Sequence, residues 1–468
     1  MTDSAATLII PVENQVRELD AKLLLACIAA ERGYPVVLGS RAYCHFAIAS
    51  IPAGVYIAKS TRSISNLMFK IIRMLGHDIV CWEEEALVHP PKEIFFGLRL
   101  SPVTIKRVSC VFAWGQENAE LIREYPHTPK DLPIHITGNP RGDMLREEVR
   151  PYFATEVNDL KRKYGDFILI NTNFSDVNPF IPGIGLFRPS HRPGARPRFG
   201  QAGKGMTLKF AEGLRDHKQA ILNHFQAIVP VLLETFPEHS IVIRPHPSEK
   251  HDVYNELADK HAQIQVCTEG NILPWLLATK VMIHNGCTTG MEAYCLQVPA
   301  ISYLPNFNEY YDYDFQGMPT RLSHQCFSRQ ELLQTLKQVL AGSLGAATGS
   351  ERQALIDYYL AARQGPLAGE RIMDIMDAKG YAERPPPASP LPVFAAGWLY
   401  TKVKAWLTKL NMHRPGPNRR AYHDHRFPEL SAVELQQRIE KFAAILGRFK
   451  QIKVEPHSRH LFRISRTG

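Results

Sequence analysis

Short apolar runs alternate with stretches of helical spacing along most of the chain. Thr7–Val12 reads as a strand. From about Glu18 to Arg32, Leu19, Leu23, Leu24, Cys27 and Ile28 recur near helical spacing until Gly33 ends the pattern. Pro35–Gly39 is strand-like again, and a strand, a helix and a strand within about 35 residues predict a βαβ unit with a parallel sheet. Further runs at 55–57, 78–82, 111–114 and 134–137 extend the alternation, so residues 1–150 are expected to form one open α/β domain.

A second series starts at Phe167–Ile170 and resumes at 239–243, 264–267, 281–284 and 299–303, after a long helix predicted over 206–236. It predicts a second α/β domain over 165–345, followed by closing helices within 346–384, at 351–363 and 368–379. The segment 180–205, rich in Gly, Pro and Arg, is expected to hold no regular structure. Pro385-Pro386-Pro387 marks a boundary, and 385–468 is expected to be a helical basic tail. The fold class is thus α/β, with two Rossmann-like domains expected to face each other across a cleft. Ligands of such sheets bind beyond the carboxyl ends of the strands.

Composition narrows the class. The 468 residues are 45% hydrophobic and 22% charged, the balance of a globular rather than a disordered protein. No apolar run approaches the ~20 residues of a membrane span, and Met1-Thr2-Asp3-Ser4 is unlike the start of a secretory signal. Eight cysteines without a CxxC pair argue against a zinc ribbon or a disulfide framework and point to a cytoplasmic home. The net charge of +9 is uneven: residues 385–468 hold 15 Lys+Arg against 5 Asp+Glu, which leaves 40 against 41 elsewhere. A neutral body with a basic tail implies an anionic partner for the tail.

Five strand ends carry candidate chemistry. His284-Asn285-Gly286-Cys287-Thr288-Thr289-Gly290 leads from a strand into a helix, whose bare amides and the two threonine hydroxyls suit a phosphate. Gly286 and Gly290 are expected to leave room for the ligand, and Glu292, one turn on, to accept ribose hydroxyls. Arg244-Pro245-His246-Pro247 holds an imidazole between two prolines, so Arg244 and His246 are expected at a phosphate or a departing nucleotide. Glu83-Glu84-Glu85 crowds three carboxylates, which would raise one another's pKa as a general acid requires. Asn171-Thr172-Asn173 with Asp176 offers sugar-binding amides and a base or nucleophile. Arg141 is expected either to bind a carboxylate or to pair with Asp143. Asp312-Tyr313-Asp314, in a Tyr-rich loop, and His423-Asp424-His425 are weak metal signals, and no metal site is expected. There is no GxxxxGK[ST] loop and no GxSxG elbow, which disfavours a P-loop NTPase or an α/β-hydrolase.

Tandem α/β lobes, the His-Pro motif and the Thr-Thr-Gly helix start together resemble GT-B glycosyltransferases that use CMP-sugars. The ordered series Ile10-Pro11-Val12-Glu13, Arg17-Glu18-Leu19-Asp20-Ala21-Lys22, Glu31-Arg32-Gly33, Trp114-Gly115, Thr137-Gly138-Asn139-Pro140-Arg141 and Ile170-Asn171-Thr172-Asn173-Phe174 resembles the bacterial surface carbohydrate biosynthesis family, over residues 7–380. That family is related to the retaining β-Kdo transferases of lipopolysaccharide O-antigen and capsule assembly. The resemblance implies that His246 and the Thr288/Thr289 turn bind the phosphate of a CMP-Kdo-type donor, a substrate and not a cofactor, with Glu292 near its ribose; Arg244, Asn285, Gly286 and Gly290 join them as donor-site candidates from the residue pattern. Glu84, Asp176 and His246 become the catalytic candidates, and Glu83, Arg141, Asn171 and Asn173 the sugar or acceptor contacts. The alternatives are a UDP-sugar enzyme, a transferase of polyol phosphate from a CDP donor, and a silent scaffold of the assembly complex.

In the tail, Leu399, Val403, Trp406, Leu407 and Leu410 share one helical stripe flanked by Lys402, Lys404 and Lys409. Segment 393–411 is therefore expected either to lie on the anionic inner face of a membrane, near a lipid-linked glycan acceptor, or to dock on the protein's own body. The tail lacks an ordered aromatic-basic surface, so no nucleic-acid partner is expected.

Overall fold

The computed structural model describes residues 5–189, 196–411 and 426–467, with the backbone alone at 313–316 and 411. The chain divides into two compact units. Met1–Ala86, Arg99–Tyr152 and Asp357–Gly468 form the first, and Leu87–Leu98 with Phe153–Ile356 form the second.

The first unit is built on β1 (Thr7–Val12), β2 (Val36–Ser40), β3 (Gly54–Ala58), β4 (Asp78–Cys81), β5 (Cys110–Ala113) and β6 (Ile134–Ile136). These run parallel in the order β2-β1-β3-β4-β5-β6. The helix Gln15–Glu31 has thirteen consecutive buried residues, from Glu18 to Ala30. Its apolar positions run all round, which suits a helix packed on every side.

The C-terminal segment differs from the helical tail expected. Helices do form at Leu391–Asn411 and Ala432–Leu446, the latter opened by a capping box of Ser431 and Glu434. Beyond them, Ile452–Ser458 and Leu461–Arg466 make an antiparallel hairpin that pairs with β2 and extends the sheet. Buried Ile452, Phe462 and Ile464 share one face of the hairpin, and buried Leu461 lies on the other. The many charged residues between them hide that alternation in the sequence.

The second unit has one all-parallel sheet, with β7 (Phe167–Asn171) at its centre. Beyond the small β8 (Phe187–Arg188) and β9 (Arg198–Phe199) pair come β10 (Ser240–Arg244), β11 (Ile264–Val266), β12 (Val281–His284), β13 (Ala300–Tyr303) and β14 (His324–Cys326). The sheet order is β11-β10-β7-β12-β13-β14. Its core joins Ile168, Ile170, Ile241, Ile243, Val281 and Ile283 to Leu222, Phe225 and Val229 of the helix Leu208–Thr235. Segment 180–205, expected to be irregular, thus contains the two-stranded β8–β9 pair.

Candidate functional site

In the first unit β2 and β3 flank β1, so successive strands leave β1 in opposite directions; such a switch point is where open α/β sheets bind ligands. The carboxyl ends deliver Glu13 after β1, Lys59 after β3, Trp82–Glu85 after β4, Trp114 after β5 and Arg141 in the short helix Pro140–Asp143 after β6. Glu84 is 2% exposed. Its Oε2 accepts from Trp82 Nε1 at 2.7 Å and lies 3.8 Å from Lys22 Nζ, while Arg141 Nη1 lies 3.9 Å from its Oε1. Among the described residues Oε1 is buried and accepts no hydrogen bond. Arg141 rests over the Trp114 ring, 5.5 Å from its centroid. Asp143 gives its two oxygens to the amides of Ala368 and Gly369, at 2.7 and 2.9 Å, and burial lifts its carboxyl to about 7.

Two residues that the sequence reading left unassigned complete this cluster. Lys22 Nζ donates to Glu18 Oε2 at 2.7 Å and to the Pro11 carbonyl at 2.9 Å, and Glu18 accepts the Glu13 and Asn14 amides. The signal was an i,i+4 Glu–Lys pair inside a helix with apolar positions on every side, where neither residue can reach solvent. The expected mutual elevation of the three adjacent carboxyls is corrected. Glu83 is raised by burial, against the pull of its ion pair with Arg99. Glu85 is driven to about 2: burial opposes this, but Arg17, Arg141, Arg99 and Lys59 prevail. The triplet is interleaved with cations and does not act as a mutually repelling cluster.

In the second unit the switch lies where β10 and β12 flank β7. The Asn173 amide donates to Asn285 Oδ1 at 2.9 Å, and Asn285 Nδ2 donates to the Asn173 carbonyl at 3.2 Å, so the two strand ends clasp each other. Asn171 is buried, and its Oδ1 accepts no hydrogen bond among the described residues. The His246 loop is fixed by Glu249, another residue the sequence reading missed. This wholly buried carboxylate accepts the His246 amide at 3.0 Å, the Thr172 hydroxyl at 2.9 Å and the Tyr254 hydroxyl at 2.7 Å. Burial raises its carboxyl, and these hydrogen bonds oppose that. His246 Nδ1 accepts the Ser248 amide at 3.2 Å, which points the ring's Nε2 edge away from its own loop.

Arg244 lies at the strand end as expected, but its guanidinium is committed locally. It donates to the Glu269 and Gly270 carbonyls at 2.8 and 3.1 Å and stacks 4.6 Å from the Trp275 centroid. The helix Thr289–Leu296 starts just beyond β12, with Thr288 and Thr289 half-exposed and Glu292 8% exposed. The glycines here serve the fold rather than opening space. Gly286 sits at φ +81°, and a Cβ on Gly290 would stand 2.7 Å from His284 Cε1 and 3.2 Å from Pro319 Cβ. His284 is buried, held neutral with its pKa near 3, and hydrogen-bonds Ser323 at 2.8 Å. Gly290→Ala should therefore cost about 1–3 kcal/mol in denaturant unfolding; an unchanged midpoint would show that the helix can shift aside.

Asp176 follows β7 and faces Lys218, which is wholly buried in the helix Leu208–Thr235. Burial raises Asp176 against the attraction of Lys218, and burial lowers Lys218 against Asp176 and Asp312. Asp312 lies not in a loop but in the helix Glu309–Arg321, where its carboxylate meets His217 Nε2 at 2.9 Å. Asp314 and His423-Asp424-His425 fall outside the described side chains. Among the described residues no group of three or more His, Cys, Asp or Glu is placed to hold a metal ion.

No sequence-family model and no curated protein matches the chain. Solved structures do resemble it. The wall teichoic acid polymerase TagF, soaked with CDPG, aligns at 10% identity and a TM-score of 0.49, covering 81% of this chain and 90% of that one. The UDP-GlcNAc 2-epimerase of Methanocaldococcus jannaschii, with UDP-GlcNAc and UDP, aligns at 12% identity and 0.43, covering 80% and 99%. MnaA of S. aureus, with UDP, aligns at 11% and 0.43, covering 82% and 100%.

Proposed function

We propose that this chain is a GT-B-type glycosyltransferase of bacterial surface-polysaccharide assembly, and that it transfers Kdo or a related acidic sugar from a CMP donor. The observation that carries the reading is the convergence at the carboxyl end of the second sheet. There the Asn173–Asn285 clasp, the Glu249-locked His246 loop and the Thr288–Thr289 helix start stand on adjacent strands. The Thr288–Thr289 turn and an imidazole are the groups proposed to meet a leaving phosphate, since the Gly290, Met291 and Glu292 amides already bond to the Cys287 and Thr288 carbonyls rather than standing bare as expected. Glu292 is the group proposed for the ribose, and Asn171 and Asn173 for the sugar. Arg244 acts through the 267–270 loop rather than by contact with phosphate. Glu84 is the preferred acid–base carboxylate, and Asp176 the second. Glu83 and Arg141 belong to the acceptor side.

Thermal shift with CMP, UMP and CDP tests the donor. A nucleotide at 100 times its Kd should stabilise the protein by about 2.7 kcal/mol. Selective stabilisation by CMP, lost in His246→Ala, is the expected result. Selectivity for UMP would replace the donor with a UDP-sugar, and selectivity for CDP would replace it with a CDP-polyol. No response to any of the three would move the chain to the scaffold reading.

The same reading places segment 393–411 on the cytoplasmic face of an anionic membrane, where a lipid-linked acceptor is presented. Among the described residues no helix is long and apolar enough to cross a membrane. The helix Leu391–Asn411 settles against the helix Asn66–Met74 with Gly397 and Thr401 inward. Its other side is bare: Leu399 is 58% exposed, Trp406 62% and Leu410 52%.

A further inference from the structure

Ten of the exposed large hydrophobics among the described residues lie on this one helix, between Leu391 and Leu410. The helix contains no acidic residue, and Lys402 and Lys409 lie exposed among its apolar side chains. The side turned to the protein carries a different feature. Lys404, half-buried, points back to the helix Arg41–Ala47. Near it Arg41, Lys59 and Arg426 all pair with one carboxylate, that of Glu13. Arg62, from the loop after β3, adds a further cation.

The neighbouring acids are already engaged: Glu18 by Lys22 and Glu83 by Arg99. Three cations thus share Glu13, with Arg62 and Lys404 near Arg41, and the excess positive charge lies beneath a helix whose outer face is apolar. Lys404, Arg62 and Glu13 feel the crowding. Burial depresses Lys404 and Arg41 depresses it further; burial, Arg99 and Arg41 depress Arg62; and Glu13 falls to about 2, with Arg41, Lys59 and Arg426 overcoming its burial.

We propose that Arg41, Arg62 and Lys404 form a binding site for the phosphate of a membrane lipid, reached when the exposed face of Leu391–Asn411 lies in the bilayer interface. An apolar helix face alone binds neutral and anionic bilayers alike. A cationic cluster beside it adds preference for a phosphate that carries net negative charge. This deepens the membrane part of the proposed function and is independent of the donor.

The test is co-sedimentation of the full chain with vesicles of phosphatidylcholine alone and of phosphatidylcholine with phosphatidylglycerol. Wild type should prefer the anionic vesicles. Arg41→Gln with Lys404→Gln should lose roughly fivefold of that preference per charge removed and keep its binding to neutral vesicles. Trp406→Glu with Leu410→Glu, on the exposed face, should lose both. Unfolding curves matching wild type confirm that the variants fold. Excess inorganic phosphate added to the anionic vesicles separates the two sources of phosphate: no competition is expected, and full displacement would show a free-phosphate site. If wild type binds neither vesicle, the membrane reading and this site fall together. If it binds both equally, or the Arg41/Lys404 variant keeps full preference, the helix reading stands and this site is overturned.

Discussion

Lys22→Met should destabilise the protein by about 3–5 kcal/mol, the usual consequence of removing one partner of a buried ion pair. The Lys22 side chain is 4% exposed and stands between Glu18 and Glu84, which are equally enclosed. Without it two buried carboxylates lose their shared cation, and Glu18 keeps only its two amide donors. The pH dependence has a definite sign. In wild type, Lys22 is raised: burial lowers it, but Glu18 and Glu84 prevail. Glu18 is lowered: burial raises it, but Lys22 and Lys59 prevail. The lysine contribution is complete below the ordinary lysine range and the glutamate contribution above the ordinary carboxyl range. The pair therefore stabilises most from about pH 5 to about pH 10. In the variant the orphaned carboxyls take up protons on folding, so the deficit should shrink as pH falls toward 4. Adding Glu18→Gln removes one of the stranded charges and should recover part of the loss. Urea unfolding at pH 4.5 and pH 7 checks both signs; a deficit equal at the two pH values would show that water reaches the cluster.

The sheets were readable from the chain because their strands are buried on both faces and so appear as unbroken apolar runs. Phe167–Asn171 and Val281–His284 stand where the pattern put them. The strand-end residues were readable for a related reason, since a parallel sheet gathers whatever follows each strand at one edge. The supports were harder to see. Glu249 looks like a solvated charge beside Pro247 and Ser248, and only the fold returns it beneath Thr172. Arg244 looked like a phosphate ligand because the local sequence cannot show that the Glu269 and Gly270 carbonyls come within its reach. The C-terminal hairpin is half polar, and its strand character depends on pairing with β2, a partner some 420 residues earlier.

Glu84→Gln should lower the transfer rate by about 10²–10⁴-fold, the range for removing a positioned proton-transfer group. The amide is nearly isosteric and still accepts from Trp82 Nε1, and Lys22 keeps Glu18, so the fold should survive. What it lacks is the basic oxygen: Oε1 is the buried carboxylate atom that accepts no hydrogen bond among the described residues, with Arg141 3.9 Å away. A carboxylate held this way can take a proton without first giving up a partner. Glu83 also keeps a buried oxygen that accepts no hydrogen bond among the described residues, Oε2, but its other oxygen is clamped by Arg99. The residues proposed for the nucleotide belong to the other unit, so CMP stabilisation should be unchanged in Glu84→Gln and lost in His246→Ala. That dissociation separates a chemical role from a binding one. Asp176→Asn is the contrasting variant, because Asp176 faces buried Lys218 and its loss removes the larger of the two carboxylate attractions, Asp176 and Asp312, that offset the burial of that lysine. It should lower stability along with any activity. Transfer from CMP-Kdo to a glycan acceptor, followed by CMP release, gives the rates. Full activity in Glu84→Gln with a large loss in Asp176→Asn would hand the acid–base role to Asp176, and it would leave the first-unit cluster a purely structural one.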